Sequence, residues 1–122
     1  MKYKLSVIKS FAGAHFLREY KGKCENLHGH NWKVRAAFSG DELGSNGMLV
    51  DFTDIKFHLD KILSQLDHKC LNDTPPFDKT NPTAENIASY IFNELKKFQY
   101  DKAKVAEIEV WESEGSSALV WE

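Results

Sequence analysis

Two histidines one residue apart, His28 and His30, are the residues whose types and spacing most directly indicate chemistry. Side chains alternate between the faces of an extended strand, so both imidazoles project from the same side. A third histidine, His15, lies near the end of another strand-like segment. Three imidazoles leave one position of a tetrahedral metal open, which is typical of catalytic zinc. The spacing therefore predicts a metal site formed by His15, His28 and His30.

Cys24 lies shortly before His28, and its role stays open at this point. A nearby Zn²⁺ would favour the thiolate, which is the reactive form of cysteine. The same thiolate could instead be a fourth ligand, which would close the site and make it structural. A third alternative is an inert buried thiol, since cysteine is among the most buried residue types.

Two further sets of polar residues could act on a ligand. Asp67 and His68 are adjacent, and an imidazole oriented by a carboxylate is a general acid/base pattern, although such pairs are common by chance. Glu112 continues the apolar face of a predicted strand, where a carboxylate must be neutralised, paired or bound. Two parallel hydrogen bonds from an amidine- or guanidine-like ligand would satisfy it. The alternative is that Glu112 lies beyond the buried part of the strand.

The elements that would position these residues follow from periodicity. Residues 3–11, 30–39, 105–112 and 118–121 alternate as strands, and a bulge at 12–14 could change the direction of His15. One helix is predicted to begin after Thr53 as N-cap, with Phe52 and Phe57 as a hydrophobic staple, and to end near Asp67. A second helix is capped by Asn81 or by Thr83. Residues 69–82 are predicted to be irregular.

The order strand, strand, helix, helix, strand, strand predicts a four-stranded antiparallel sheet with both helices on one face. This is an α+β fold, and 122 residues fit one domain over 1–122. The net charge of −2 makes nucleic acid an unexpected partner. There is no apolar run of membrane-spanning length and no apolar signal core at the N-terminus, so we expect no membrane association and a cytoplasmic location.

Several motifs occur together in a specific order. They are Ala14-His15, the segment from Cys24 to Trp32, Leu66-Asp67-His68, Leu71-Asn72, the segment from Asn81 to Asn86, and Trp111-Glu112. This set resembles the 6-pyruvoyltetrahydropterin synthase superfamily over nearly the whole chain. Within the superfamily, the three residues between Cys24 and His28 resemble the 6-carboxy-5,6,7,8-tetrahydropterin synthase branch. The pyruvoyl branch usually has a longer insert there, and another branch has glutamate in place of the cysteine.

The resemblance implies a tunnelling fold (T-fold) whose units form trimeric barrels, commonly stacked as homohexamers with active sites between subunits. It implies zinc on the three histidines, Cys24 as catalytic base, and Asp67 with His68 as the partner acid/base pair. It also implies that Glu112 anchors the pterin ring and that Thr83 lies near it. At Ala84 some members carry a hydroxyl residue, so a side-chain contact from that position is absent here.

The implied activity is that of a carbon–carbon lyase of queuosine and 7-deazapurine biosynthesis. It would convert 7,8-dihydroneopterin triphosphate to 6-carboxy-5,6,7,8-tetrahydropterin with release of acetaldehyde and triphosphate. One alternative is a 6-pyruvoyltetrahydropterin synthase, which eliminates only triphosphate. Another is a pterin-binding or zinc-stabilised module without turnover, which a closed site including Cys24 would favour.

Overall fold

The computed structural model of the protein describes residues 1–23 and 25–122. A single sheet is covered on one face by two helices, which confirms the predicted α+β architecture. The elements are β1 (Tyr3–His15), β2 (His28–Gly40), α1 (Phe52–Leu63), β3 (Lys69–Cys70), a 3₁₀ turn (Leu71–Asp73), α2 (Ala84–Leu95), β4 (Lys104–Ser113) and β5 (Ser116–Trp121). Neither helix of the described residues is long and apolar enough to cross a membrane.

The sheet has five strands in the order β3-β1-β2-β4-β5, so the prediction of four antiparallel strands needs correction. The extra strand, β3, falls in the segment predicted to be irregular. Its two residues pair in parallel with Gly13 and Ala14 on the free edge of β1. The other pairings are antiparallel, as predicted. Alternation of apolar and polar residues cannot predict a strand of two residues. Such a strand is stabilised by backbone pairing with its neighbour and not by a buried face of its own.

The long hairpin of β1 and β2 carries the three predicted metal ligands at its open end. Its ladder runs without interruption from Tyr3 opposite Gly40 to His15 opposite His28, so the bulge considered at 12–14 is absent. The alternating burial of β1 therefore continues to its last residue, and His15 faces the helices together with Phe11. The uninterrupted register sets His15 and His28 side by side.

The helices begin where side chains cap them. For α1 the N-cap is Asp51, whose carboxylate accepts the Thr53 N–H at 2.8 Å, so the prediction of Thr53 as N-cap is wrong. Phe52 is then the first helical residue, and both Phe52 and Phe57 are exposed, so the predicted staple does not form. The helix ends at Leu63, and a turn continues to His68. For α2 the cap is Thr83, one of the two predicted alternatives.

The core lies between the helices and the inner face of the sheet. Helix α1 packs against β1 and α2, and α2 packs against β4 and β5. The largest fully buried side chains include Trp32, Phe38 and Phe77. Trp32 donates its indole N–H to the Gly13 carbonyl at 3.1 Å, which ties β2 to β1 directly beneath the histidines. The core therefore gives the end of the hairpin that carries the three histidines a rigid base.

Glu112 lies at a β-bulge near the end of β4. Trp111 pairs with Ser117 and Ser113 pairs with Ser116, so Glu112 has no counterpart on β5. Bulges locally increase twist and redirect side chains, and they are frequent beside active sites. The bulge therefore lies at the residue of β4 whose side chain approaches the histidines.

Candidate metal centre and active site

The three histidines meet at the open end of the β1–β2 hairpin. Their ring centroids lie 4.7 Å apart for His15 and His28, 5.1 Å for His15 and His30, and 4.8 Å for His28 and His30. Trp32 lies edge-on to two of these rings, at 4.9 Å from His15 and 5.3 Å from His30. The structure thus brings together the three residues that the sequence predicts as metal ligands.

Backbone carbonyls orient two of the rings. Nδ1 of His15 lies 2.8 Å from the Pro82 carbonyl oxygen, and Nδ1 of His28 lies 2.7 Å from the Asn26 carbonyl oxygen. Because a carbonyl can only accept, each Nδ1 carries the proton, and each Nε2 presents a lone pair to the centre. Burial lowers the pKa of His15, which favours the neutral imidazole that a metal requires.

Glu112 completes the group. Its Oε1 lies 3.0 Å from Nε2 of His30 and 3.8 Å from Nε2 of His15. Nε2 of His15 and Nε2 of His30 are nevertheless buried without a hydrogen-bond partner among the described residues, so the short distance to Glu112 is not an aligned hydrogen bond. Acceptor atoms from all four residues lie within 4.8 Å of one another. A cation bound among these atoms would satisfy the unpaired nitrogens and the carboxylate together.

The donor set fits a divalent transition metal. Three imidazole nitrogens and one carboxylate oxygen are ligands that Zn²⁺ takes in tetrahedral sites, and imidazole also suits copper, iron and nickel. The cluster therefore supports the prediction that the chain has a metal site. The sequence predicts the three histidines, but it assigns Glu112 to the pterin and not to the metal.

Asp67 and His68 lie beside β1, in the turn that leads into β3. Oδ1 of Asp67 accepts the Ala12 N–H at 2.9 Å, and the His68 N–H donates to the Ala12 carbonyl at 2.6 Å. Oδ2 of Asp67 is 3.7 Å from Nε2 of His68, which is too long for a hydrogen bond. His68 has a left-handed backbone at φ 57°, and its side chain is 83% exposed. The structure therefore presents this imidazole on the surface.

The side chain of His68 is not part of the cluster that the three histidines form among the described residues. It borders a cavity of about 430 Å³. The cavity is also lined by Lys69, by residues 12–14 of β1 and by residues 29–31 of β2, which include His30. Small residues beside His68 leave room for a second molecule at this position.

The sequence and the fold were compared with known proteins. The family model described as "6-pyruvoyl tetrahydropterin synthase" matches residues 4–122. The chain belongs to this family. The predicted resemblance is therefore confirmed, as is the prediction that the chain is an enzyme of this family.

Relatives of this 6-pyruvoyl tetrahydropterin synthase family member carry two different names. A "6-carboxy-5,6,7,8-tetrahydropterin synthase" of Synechocystis is 40% identical over 93 residues, covering 72% of this chain and 70% of that protein. A protein of the same name from Haemophilus influenzae is 33% identical, and the match covers 91% of this chain and 93% of that protein. The structure titled 6-pyruvoyl tetrahydropterin synthase of Caenorhabditis elegans has a TM-score of 0.88 at 26% identity, covering 100% of this chain and 96% of that chain.

Two predicted site residues of this family member remain. Cys24 lies outside the described residues, so its prediction as catalytic base stays a prediction. Thr83 lies beside Pro82, and its hydroxyl oxygen accepts the Asn86 N–H at 3.1 Å as the cap of α2. Its hydroxyl proton can still be donated to a ligand. The carbonyls of Pro82 and Asn26 were not predicted, because backbone acceptors carry no signal in a side-chain pattern.

Proposed function

We propose that this protein is a zinc-dependent 6-carboxy-5,6,7,8-tetrahydropterin synthase of queuosine and 7-deazapurine biosynthesis in the cytoplasm. It would convert 7,8-dihydroneopterin triphosphate and one water molecule to 6-carboxy-5,6,7,8-tetrahydropterin, acetaldehyde and triphosphate. The observation that carries this proposal is the convergence of potential ligand atoms from His15, His28, His30 and Glu112, two of which are buried nitrogens without a hydrogen-bond partner among the described residues. The names of the two curated relatives favour the carboxy product.

In this proposal His15, His28 and His30 hold the metal through Nε2. The bound zinc would act as a Lewis acid toward the oxygens of the substrate side chain. The carbonyls of Pro82 and Asn26 keep the His15 and His28 rings oriented, and such supporting hydrogen bonds typically raise ligand basicity. Zinc suits the reaction because it polarises oxygen atoms without redox chemistry.

Glu112 anchors the pterin ring in the proposed complex. A pterin presents an amino group and a ring N–H side by side, which matches a carboxylate that accepts two parallel hydrogen bonds. The carboxylate is 39% exposed, so it can turn from the histidines toward a ligand. Thr83 lies next to Pro82, close to the same centre, and can add a hydroxyl donor. Fixing the ring in this way would hold the substrate side chain at the metal.

Two groups would move protons. Cys24 as thiolate would take a proton from the substrate side chain, and His68 would exchange protons on the opposite side. Asp67 would pair with His68 only after the separation of 3.7 Å shortens, as catalytic hydrogen bonds often do when substrate binds. Because the His68 side chain is 83% exposed and lies outside the cluster of His15, His28, His30 and Glu112, it would serve the metal site of a neighbouring subunit. The working unit would then be a trimer-based homo-oligomer, a hexamer in the arrangement that the resemblance implies.

The second candidate function is that of a 6-pyruvoyltetrahydropterin synthase, which the likeness to the Caenorhabditis elegans structure favours. It would use the same metal site and pterin anchor but would keep the side-chain carbons on the ring. A zinc-stabilised or pterin-binding module without turnover would instead be favoured by a metal site that remains closed when pterin binds.

Product analysis separates these functions. Zinc-loaded protein is incubated with 7,8-dihydroneopterin triphosphate, and the products are identified by mass spectrometry. The proposal expects 6-carboxy-5,6,7,8-tetrahydropterin together with acetaldehyde. A 6-pyruvoyl product without acetaldehyde would support the second candidate, and unchanged substrate would support the module without turnover.

A further inference from the structure

The backbone of residues 16–18, which directly follow β1, forms hydrogen bonds with side chains from other segments of the chain. Phe16 N–H donates to Oδ1 of Asn72 at 2.9 Å, and Nδ2 of Asn72 donates back to the Phe16 carbonyl at 3.0 Å. Asn81 makes the same pair of bonds with the backbone of Arg18, at 2.8 and 3.0 Å. These bonds extend the edge of β1 beyond His15 and join it to the segment that leads to Pro82.

Leu17, between these two residues, is bonded to Glu25 instead. The Glu25 N–H donates to the Leu17 carbonyl at 2.9 Å, and the Leu17 N–H donates to Oε1 of Glu25 at 3.2 Å. One residue thus uses both its backbone and its side chain to hold the segment before β2 against the segment after β1. We call the hydrogen bonds of Glu25 to Leu17 the Glu25 clamp.

The same carboxylate oxygen lies near a metal ligand. Oε1 of Glu25 is 3.8 Å from Nε2 of His28. This is too long for a hydrogen bond, and a metal on Nε2 would leave no proton there to donate. The effect of Glu25 on His28 would therefore be exerted through the position of the segment and not through a direct bond to the ring.

His28 is the metal ligand that most needs such support. Its side chain is 34% exposed, whereas His30 is 22% and His15 only 1% exposed. His28 is also the first residue of β2, so residues 25–27 directly before it are not held in a strand. Its ring is held by the carbonyl of Asn26 in this segment. A shift of this segment would move both the ligand and the carbonyl that orients it.

We infer that Glu25 is a positioning residue of the metal site. Through the Glu25 clamp, it fixes residues 25–28 so that Nε2 of His28 faces the other ligands. Metal-bound histidines depend on their supporting groups, and loss of such a group typically weakens metal affinity about 10- to 100-fold. This inference rests on the proposed metal site, but it concerns a residue that takes no part in binding the metal or the substrate.

The test measures zinc affinity by competition with a chromophoric chelator in the wild type, Glu25→Ala and Glu25→Gln. Glu25→Ala removes the acceptor for the Leu17 N–H, and we expect its affinity to fall about tenfold or more. Glu25→Gln keeps an acceptor oxygen but loses the charge, and we expect affinity within about threefold of the wild type, because the Leu17 hydrogen bond can re-form. Glu94→Ala is the matched control, since Glu94 is a similarly part-buried, paired carboxylate on α2.

The outcomes separate this inference from the proposed function. Zinc binding by the wild type together with equal binding by Glu25→Ala would overturn the role of Glu25 and leave the metal site intact. Equal weakening in Glu25→Gln and Glu25→Ala would also overturn the clamp, because it would assign the effect to charge. A wild-type protein that bound no zinc would overturn the proposed metal site itself. Thermal unfolding of the metal-free variants, expected at wild-type temperature, excludes general misfolding as the cause.

Discussion

His15 donates a hydrogen bond from Nδ1 to the carbonyl oxygen of Pro82 at 2.8 Å. This bond joins the last residue of β1 to the residue before the N-cap of α2. It fixes the ring of the most buried ligand and leaves its Nε2 directed at the other ligands. The packing of α2 on the sheet therefore helps to set the geometry of the candidate metal centre, although no residue of α2 is a proposed ligand.

The first prediction concerns the metal ligands. His28→Ala should lose stoichiometric zinc, because two histidines coordinate the ion weakly. The measurement is elemental analysis of purified protein, with His68→Ala as control. His68 is not part of the candidate metal cluster, so this control should keep its zinc and lose turnover. One tightly held zinc per chain in His28→Ala would contradict the assignment.

The second prediction concerns Cys24. If this residue is the catalytic base and not a ligand, Cys24→Ala should retain zinc and lose turnover, because the remaining groups cannot supply a thiolate. Zinc content and product formation are measured on the same preparation. Loss of zinc together with activity would instead indicate a closed site in which Cys24 is the fourth ligand.

The third prediction concerns assembly. Cys24→Ala and His68→Ala should each be inactive, yet oligomers formed from a mixture of the two should regain activity, because intact sites take the two residues from different chains. Random mixing of equal amounts would restore about a quarter of wild-type activity. Native mass spectrometry verifies mixing, and sedimentation of the wild type should give a trimer-based species. An active wild-type monomer, or mixed oligomers without activity, would refute the composite site.

The fourth prediction concerns Glu112. Glu112→Gln keeps the shape of the side chain but sets a donor against a donor of the pterin, which should weaken pterin binding by roughly 1–3 kcal/mol, or about ten- to a hundredfold. Zinc content should persist on the three histidines. Calorimetry with a pterin, and zinc analysis in parallel, provide the measurement. Unchanged pterin affinity would show that another residue anchors the pterin. Loss of zinc would indicate that Glu112 is a metal ligand.

The three histidines could be predicted from the sequence because alternation along a strand fixes the facing of side chains. Their meeting requires only that the β1–β2 ladder be uninterrupted, which the structure confirms. The parity of Glu112 predicted the apolar face of β4, but the distance of 3.0 Å between its Oε1 and Nε2 of His30 could not be predicted. That distance accompanies a bulge created by the pairing of β4 with β5, and pairing register is not visible in a single strand.

Other features of the structure could not be predicted from the sequence, because individual contacts decide them. Asp51 and Thr53 are both good N-cap residues two positions apart, and the hydrogen bond from the Thr53 N–H to Asp51 decides between them. The two-residue strand β3 forms because the edge of β1 is free to pair, which no periodicity in residues 69–70 could signal. The hydrogen bonds of Asn72 to Phe16 and of Asn81 to Arg18 join segments that are distant in sequence, and the Glu25 clamp joins two segments whose pairing no periodicity predicts.

The central claim is that one metal bound at the histidine cluster supports lyase chemistry on a pterin side chain. Zinc titrated into metal-free wild-type protein, with acetaldehyde release from 7,8-dihydroneopterin triphosphate recorded at each addition, tests it most directly. The account predicts no acetaldehyde without metal, a linear rise in rate, and a plateau at one zinc per chain. Full activity in the metal-free protein, or no acetaldehyde at any zinc concentration, would contradict it.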